Sequence, residues 1–194
     1  MATATIKTAT KADEAAIVDV ITIAFSTDPL VRWIWQDAHQ YLVHMPALVR
    51  VAGGKALASG SAYYADRYAG AALWLPPDVH AEKDEFRSLL RDDVPEERRA
   101  ELVAVFKQMG SCHPQEPHWY LPLIGVDPAS QGRGYGSSLM RHALEQLDQT
   151  HTLAYLESSN PRNLSLYIRH GFEITGTIQV GSSPPLFPMV RKPR

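Results

Sequence analysis

The sequence predicts an α/β protein, in which helices flank a sheet. Apolar residues at helical spacing alternate along the chain with short apolar runs of the length of strands. Two of those runs lie on either side of a short turn, as in a β-hairpin. With 194 residues, of which 45% are hydrophobic, the chain is long enough to bury one sizeable core.

The first predicted elements are a short strand, TIKTAT, and a helix that Thr10 can cap. Asp28-Pro29 is expected to end this helix, because proline cannot continue it. The helix itself is predicted from apolar residues at helical spacing: Ile17, Val20, Ile21, Ala24 and Phe25.

Residues 30–54 predict one or two further helical pieces, with Pro46 as a kink or a new start and Gly53-Gly54 as the end. SAYYAD and GAALWLP then predict a hairpin around a turn that contains Arg67. Two helical stripes follow, on either side of Pro95. The first stripe is Phe86, Leu89 and Leu90, and the second is Leu102, Val105, Phe106 and Met109.

WYLPLIGV predicts a buried strand with unusual residues inside it. Pro122 lacks a backbone donor, and Gly125 is typical of a bulge or of a close approach by another group. We therefore expect this strand to leave part of its backbone unpaired.

The remaining pattern predicts a helix around Ser138 to Leu147, the strand TLAYLES, a helix around Asn163 to His170, a strand from Phe172 to Val180, and a last strand near LFPMVRK. There is no internal repeat and no convincing linker. We expect one domain that comprises residues 1–194.

The stretch DPASQGRGYGSSLM places Gly132, Gly134 and Gly136 directly before a predicted helix. Glycine lets the backbone approach a ligand closely, and a helix start leaves N–H groups unpaired, so this loop predicts an anion site. A P-loop is excluded because the loop has no lysine. A dinucleotide loop is closer, since Glu157 follows at a suitable distance, but Ser137 stands where its third glycine should be. A turn that uses glycine for geometry alone is the bland alternative.

The loop also fits the pattern [QR]-x-x-G-x-[GA], through Gln131, Gly134 and Gly136, and in this it resembles motif A of the GNAT superfamily of N-acetyltransferases. ESSNPRNLSLYIRHGFE matches a second motif of that superfamily, N-x-x-[AN]-x-x-x-Y-x-x-x-G-F. From about Cys112 to the end, the chain is similar to the puromycin N-acetyltransferase group. The first half matches only loosely, in AFSTDP and ALWLPP.

This resemblance implies a mixed, mostly antiparallel sheet with a splayed central strand pair flanked by helices. It implies acetyl-coenzyme A as the acetyl-donor cosubstrate, with its pyrophosphate on the loop amides and its pantetheine arm along the splayed strand. The implied cosubstrate-binding residues are Ile124, Val126, Gln131, Gly132, Arg133, Gly134, Gly136, Ser137, Asn160, Asn163 and Tyr167.

Direct acetyl transfer to an amine needs a base for the amine and an acid for the departing thiolate. The resemblance implies Tyr167 as the acid. Glu157 is the best candidate for the base, although it can instead anchor the substrate or pair with Arg162. His113 and His118 are the alternatives for the base.

Cys112 and the two nearby histidines match no standard zinc spacing, so no metal is expected. Four tryptophans are candidates for the acceptor pocket, although a domain of this size buries most of its aromatic residues. They are Trp33, Trp35, Trp74 and Trp119.

The composition of the chain limits the kinds of partner that it is expected to bind. The net charge of −2 gives no support for binding a nucleic acid or a membrane surface. No signal peptide is recognised, and the lone Cys112 fits a reducing compartment, so we expect a cytoplasmic protein. The sequence thus predicts an N-acetyltransferase for a small-molecule amine. Its alternatives are a non-catalytic acyl-coenzyme A-binding or sensing domain and a nucleotide-binding oxidoreductase.

Overall fold

The structure, a computed structural model, describes residues 4–81, 88–89, 94 and 96–194. Its helices are α1 Glu14–Ala24, α2 Pro29–Ile34, α3 Ala38–Ala58, α4 Glu96–Cys112, α5 Tyr135–Gln149 and α6 Leu164–Arg169. Its strands are β1 Ile6–Thr8, β2 Ala62–Ala65, β3 Gly70–Leu75, β4 His118–Val126, β5 Leu153–Ser158, β6 Glu173–Ile174 and β7 Phe187–Arg191.

The strands form one sheet in the order β1-β2-β3-β4-β5-β7-β6. All neighbouring strands are antiparallel except β4 and β5, which are parallel. The pairing of β4 with β5 stops after Tyr120 and Tyr155, whereas β5 stays paired with β7 along its whole length. The predicted mixed, mostly antiparallel sheet with a splayed central pair is therefore confirmed.

Each face of the sheet is covered by its own hydrophobic core. Residues of α1, α2, α3 and α4 pack on one face, and residues of α5 and α6 pack on the other. The amphipathic spacing that predicted α1 and α4 matches this arrangement, since Ile17, Ile21, Leu102 and Val105 are buried. In the described part of the chain, no helix is long and apolar enough to cross a membrane.

Strand β4 contains the irregularity that its proline and glycine predict. Leu73 lies opposite Leu123 but Leu75 lies opposite Tyr120, so β4 has one residue more than β3 around Pro122. This is a β-bulge. Gly125 has a different role, because a Cβ there would lie 2.6 Å from the Cβ of Ala24 in α1. The glycine thus lets α1 lie directly against the strand.

Most of the other predicted elements are confirmed. The chain forms β1, the β2–β3 hairpin, α5, β5, α6 and β7 close to their expected places. Thr10 is the N-cap of a 3-10 turn, Lys11–Asp13, that leads into α1, whereas the N-cap of α1 itself is Asp13. The predicted stripe of Phe86, Leu89 and Leu90 falls largely outside the described residues.

Two predicted boundaries are wrong. Helix α3 does not end at Gly53-Gly54 but continues to Ala58, because Gly53 faces Leu73 of β3 and serves close packing rather than termination. The strand predicted from Phe172 to Val180 is reduced to Glu173–Ile174 and one isolated bridge between Ile178 and Leu186. Pro184 and Pro185 precede β7 and cannot donate the hydrogen bonds that would extend this pairing.

The adjacent glycines of α3 allow a matched test of this packing. A Cβ on Gly53 would lie 2.4 Å from Leu73 Cδ1, and Leu73 is buried, whereas a Cβ on Gly54 meets nothing within 4 Å. We expect Gly54→Ala to stabilise the protein by about 0.5–1 kcal/mol through helix propensity. Gly53→Ala should destabilise it by about 1–3 kcal/mol through overpacking. Urea unfolding of both variants measures the difference, and equal stabilities would contradict the packing described here.

Candidate active site

A cleft of about 510 Å³ opens where β4 and β5 separate. One wall is the second half of β4, from Leu121 to Val126, and the other is formed by the end of β5 and by α6. The end of α1 and the glycine loop before α5 close the two remaining sides. The cleft is therefore a direct product of the splayed strand pair.

The glycine loop is shaped to hold an anion. Gly132 and Gly134 have φ angles of 75° and 88°, which residues with a side chain rarely adopt. Among the described residues, no backbone hydrogen bond is donated by the amides from Gly132 to Ser137, and the first helical bond runs from the Ser138 amide to the Gly134 carbonyl, at 3.0 Å. Unpaired amides at a helix N-terminus suit a phosphate group. The loop thus fits a diphosphate.

Side chains hold this loop and α6 in place. The Gln131 side-chain amide donates to the Val126 carbonyl at 3.3 Å, and the hydroxyl of Ser137 lies 2.8 Å from Nε2 of His170. Across the cleft, the Asn160 side chain accepts from the Arg162 amide at 3.1 Å and so caps the turn that leads into α6.

The structure brings nearly all the predicted cosubstrate-binding residues to this one cleft. Arg133 belongs to the loop but is exposed beside the cleft lining. The residues that do line it are Ile124, Val126, Gln131, Gly132, Gly134, Gly136, Ser137, Asn160, Asn163 and Tyr167. They are cosubstrate ligands only as a prediction.

Tyr167 lies in the cleft wall formed by α6 and is 5% exposed. Its ring meets that of Phe172 edge-on, with 6.2 Å between the ring centroids. Burial, assisted by the negative charge of Asp28, raises the pKa of its phenol well above the usual 10. Within the described chain its hydroxyl makes no hydrogen bond, so this protonated phenol remains available to the cleft.

Glu157, at the end of β5, lines the same cleft although its side chain is only 2% exposed. The Tyr155 hydroxyl donates to its Oε1 at 2.9 Å, and Tyr120 donates to it as well. Burial raises the pKa of this carboxyl from 4.5 to about 7, against the opposing effect of the two phenol hydrogen bonds. Glu157 can therefore gain and lose a proton near neutrality.

His113 and His118 lie behind Glu157 and do not line the cleft. His113 Nε2 is 3.5 Å from Glu157 Oε1, and His113 Nδ1 is 3.0 Å from His118 Nε2. Neither ring is placed to touch a substrate in the cleft. Among the described residues, no three or more His, Cys, Asp or Glu side chains are grouped to hold a metal ion.

Asp28 is a site residue that the sequence alone does not reveal. It lines the cleft and is 6% exposed, it caps α2 by accepting from the Leu30 and Val31 amides, and the Ser159 hydroxyl donates to its Oδ2. Burial raises the pKa of its carboxyl, and the bond from Ser159 partly offsets this. The Asp-Pro pair is a recognisable helix start, but no local pattern shows that this cap is buried in a cleft.

The four predicted acceptor-pocket tryptophans lie away from the cleft lining. Trp35 and Trp74 are fully buried in the two cores, and Trp119 packs against the second core. Trp33 is 9% exposed and its indole N–H donates to Ser182 Oγ at 3.1 Å. Their placement supplies no acceptor wall in this cleft.

Family and structure comparisons agree with this geometry. The model of the acetyltransferase (GNAT) family matches residues 22–172. An uncharacterized N-acetyltransferase of Schizosaccharomyces pombe is 35% identical over 78 residues, which are 39% of this chain and 32% of that protein. The chain thus aligns with less than a third of the length of this curated relative.

Solved structures match over nearly the whole chain. A Corynebacterium glutamicum protein, described as histone acetyltransferase HPA2 and related acetyltransferase, is 28% identical, with a TM-score of 0.73 and coverage of 100% of this chain and 98% of that one. A polyamine N-acetyltransferase of Drosophila melanogaster, which forms N-acetylagmatine, is 14% identical, with a TM-score of 0.67 and coverage of 97% and 99%. The second likeness shows the fold alone.

The raised pKa of Glu157 predicts how stability depends on pH. The pKa of Glu157 is about 7 in the folded protein and about 4.5, the ordinary value, in the unfolded chain. Between these two pH values the folded protein therefore binds more protons than the unfolded chain, and the wild type loses stability as pH rises through this window. Glu157→Gln cannot titrate. We expect its stability relative to wild type to increase by about 2–3 kcal/mol from pH 5 to pH 8, measured by urea unfolding at both pH values. A difference independent of pH would show that the carboxyl has an ordinary pKa.

Proposed function

Because the chain belongs to the acetyltransferase (GNAT) family, we propose that it is an acetyl-coenzyme A-dependent N-acetyltransferase that acetylates a small-molecule amine by direct transfer. The observation that carries the proposal is the set of groups that line one cleft. Unpaired loop amides lie at one side of it, and Tyr167, Glu157 and Asp28 contribute to its other walls.

The described residues fit the cosubstrate in two places. The amides from Gly132 to Ser137 would hold the diphosphate, and the dipole of α5 favours negative charge there. The unpaired side of β4, at Ile124 and Val126, offers backbone groups to the amides of the pantetheine arm, as a neighbouring strand would. When bound, acetyl-coenzyme A supplies an activated acetyl thioester.

Tyr167 is the proposed acid. Burial keeps its phenol protonated far above neutral pH, so that it has a proton to donate to a thiolate as the thioester breaks. Its free hydroxyl and its place in the cleft wall support this role.

Glu157 is the proposed base. With a pKa of about 7, a large fraction of its carboxyl is ionised at neutral pH while it is still basic enough to accept a proton from an amine. Tyr120 and Tyr155 orient the carboxylate by donating to it. A pairing with Arg162, the bland alternative from the sequence, is not among its contacts.

Asp28 is proposed as the anchor of the amine. Its Oδ1 caps α2 and its Oδ2 accepts from Ser159, so the group is fixed in place and suited to hold a cationic substrate by charge rather than to move protons. Two buried carboxylates in one cleft favour small cationic amines as acceptors. Polyamine acetylation by a protein of the same fold is compatible with that class.

The more specific expectations from the sequence are also part of this proposal. The similarity to the puromycin N-acetyltransferase group rests on sequence motifs in the second half of the chain, and the cytoplasmic location rests on the lone Cys112. A single domain over residues 1–194 and the absence of nucleic-acid or membrane partners belong to the same proposal.

Release of the free thiol from acetyl-coenzyme A, measured across a panel of amines, tests the proposed function. Gly134→Asp should abolish binding of acetyl-coenzyme A and thiol release, because its charge would face the phosphates. Gly134→Asn is the matched control, since its side chain has a similar size and meets the same strain at a φ of 88° without the charge. We expect Gly134→Asp to bind acetyl-coenzyme A more weakly than Gly134→Asn by tenfold or more, on the order of 1.4 kcal/mol.

Three results of this experiment would contradict the proposal. Equal binding of acetyl-coenzyme A in the two folded variants would show that its diphosphate does not bind to this loop. Binding without amine-dependent thiol release would favour a non-catalytic acyl-coenzyme A sensor. Calorimetric binding of NAD(P) in place of acetyl-coenzyme A would favour an oxidoreductase.

Kinetics of Glu157→Gln and Asp28→Asn separate the base from the anchor. Loss of the base should lower kcat by on the order of 10²-fold and remove the rise in kcat around pH 7, because only the ionised carboxyl accepts a proton, with the KM of the amine little changed. Loss of the anchoring charge should raise the KM of the amine by about tenfold with a smaller change in kcat. Should the two variants show the opposite pattern, the two roles must be exchanged.

A further inference from the structure

A chain of polar side chains continues behind Glu157, away from the cleft. His113 lies between the Glu157 carboxyl and His118, and His118 lies against the backbone carbonyl of Glu116. The proposed function does not use this chain. Its two rings lie at the turn between α4 and β4, where both are partly exposed.

The separations form a continuous path. Glu157 Oε1 is 3.5 Å from His113 Nε2, His113 Nδ1 is 3.0 Å from His118 Nε2, and His118 Nδ1 is 2.8 Å from the Glu116 carbonyl oxygen. The two histidine contacts have hydrogen-bond lengths, and the first gap needs a movement of about 0.5 Å to reach one. Exposure increases along the path, from a Glu157 side chain that is 2% exposed to a His113 side chain that is 28% exposed.

The carbonyl at the end of the path assigns the tautomer of each ring. A carbonyl only accepts, so His118 Nδ1 carries a hydrogen, and in the neutral ring His118 Nε2 is then an acceptor. His113 Nδ1 must therefore donate to it, which leaves His113 Nε2 as an unprotonated acceptor facing Glu157. The resting network is thus oriented to take a proton from the Glu157 carboxyl.

We propose that His113 and His118 form a proton relay, which carries to solvent the proton that Glu157 takes from the substrate amine. This inference rests on the proposed function, with Glu157 as the base. Neither histidine touches the substrate; both act through Glu157.

Each transfer moves one proton, and once the last proton has left, Glu157 is again a carboxylate and both rings are neutral. As the amine nitrogen bonds to the acetyl carbon, the carbon–sulfur bond breaks and the leaving thiolate takes the Tyr167 proton, which solvent replaces after the product leaves. The amine nitrogen gives its own proton to Glu157, and the Glu157 O–H proton passes to His113 Nε2. The Nδ1 proton of His113 then passes to His118 Nε2, and the Nδ1 proton of His118 leaves to water. Exchange of the partly exposed rings with solvent restores their tautomers before the next turnover.

The burial of Glu157 explains why a relay is useful. A base must lose its proton once per turnover, but this side chain is nearly closed to solvent and the substrates occupy the cleft on its open side. Among the described residues, the other titratable groups that interact with Glu157 are Tyr120, Tyr155 and Cys112, and burial raises the pKa of each of them. Such groups do not accept a proton near neutral pH, which leaves His113 as the way out.

His113 is suited to pass a proton on rather than to keep it. Burial, with smaller effects of His118 and His80, lowers its pKa to about 4, while that of Glu157 is about 7. The protonated ring is thus disfavoured relative to protonated Glu157. It forms only in passing, and the proton is drawn onward to His118 and water.

The test compares kcat in His113→Ala, His118→Ala and the matched control His142→Ala. His142 is also partly buried and also packs edge-on against a tyrosine, Tyr63, at 4.8 Å, but it belongs to α5 and does not line the cleft. With acetyl-coenzyme A and the best amine of the panel, we expect both relay variants to lose about tenfold in kcat with unchanged KM values. Added imidazole should restore His118→Ala in proportion to its concentration, and should not affect the control.

Two further measurements keep the proposal open to refutation. His118→Gln retains a hydrogen-bonding group but cannot titrate, so it should be as slow as His118→Ala and should show an altered solvent deuterium isotope effect. If His118→Ala and His118→Gln keep the wild-type kcat, pH profile and isotope effect while Glu157→Gln is impaired, the relay is wrong and the base survives. If Glu157→Gln is also unimpaired, the proposed base fails and the relay with it.

Discussion

The separation of β4 from β5 is the constraint on which the rest of the structure depends. Parallel pairing holds from His118 to Tyr120 and then stops, so that the second half of β4 presents unpaired backbone to a cleft instead of to a neighbour. Unpaired backbone is costly when it is buried, and the fold tolerates it because the cleft is open to water or to a ligand. The bulge near Pro122 and the close contact of Gly125 with α1 give the strand its shape here.

The same opening explains the acid–base properties of the site. β5 continues beyond the point of divergence because β7 supports its other edge, so Glu157 is held inside the protein at the border of the cleft. Burial raises the pKa values of both Glu157 and Asp28. Glu157 lies at the end of a strand, and Asp28 lies at the start of a helix. Keeping charged groups in such places costs stability. The fold limits this cost through the phenols of Tyr120 and Tyr155 and through Ser159, which donate hydrogen bonds to the two carboxylates.

Local chemistry explains what the sequence predicts well. Positive φ angles and a helix start require glycines in a fixed order, so the loop from Gln131 to Gly136 is recognisable, and the helix and strand periods predict most of the elements. Asp28 and the contact of His113 with Glu157 are different, because residues more than forty positions apart meet there and no short pattern records such a meeting. The tryptophans show the same limit: aromatic residues suit a core and a pocket equally, and only the packing of α3 and α5 buries Trp35 and Trp74. Gly53 is predicted to end a helix because glycine often does so. In the structure, a glycine is needed there because Leu73 packs against this position.

Amide hydrogen exchange followed by NMR, with and without acetyl-coenzyme A, tests the central claim that the splayed strand and the glycine loop bind the cosubstrate together. We predict slower exchange on binding at the amides from Gly132 to Ser137 and at Ile124 and Val126, because both groups gain acceptors from one ligand. The amides of β2 and of the paired half of β4 should change little, since their partners are already present. Protection that is absent from the loop and the strand, or confined to another surface, would contradict the account.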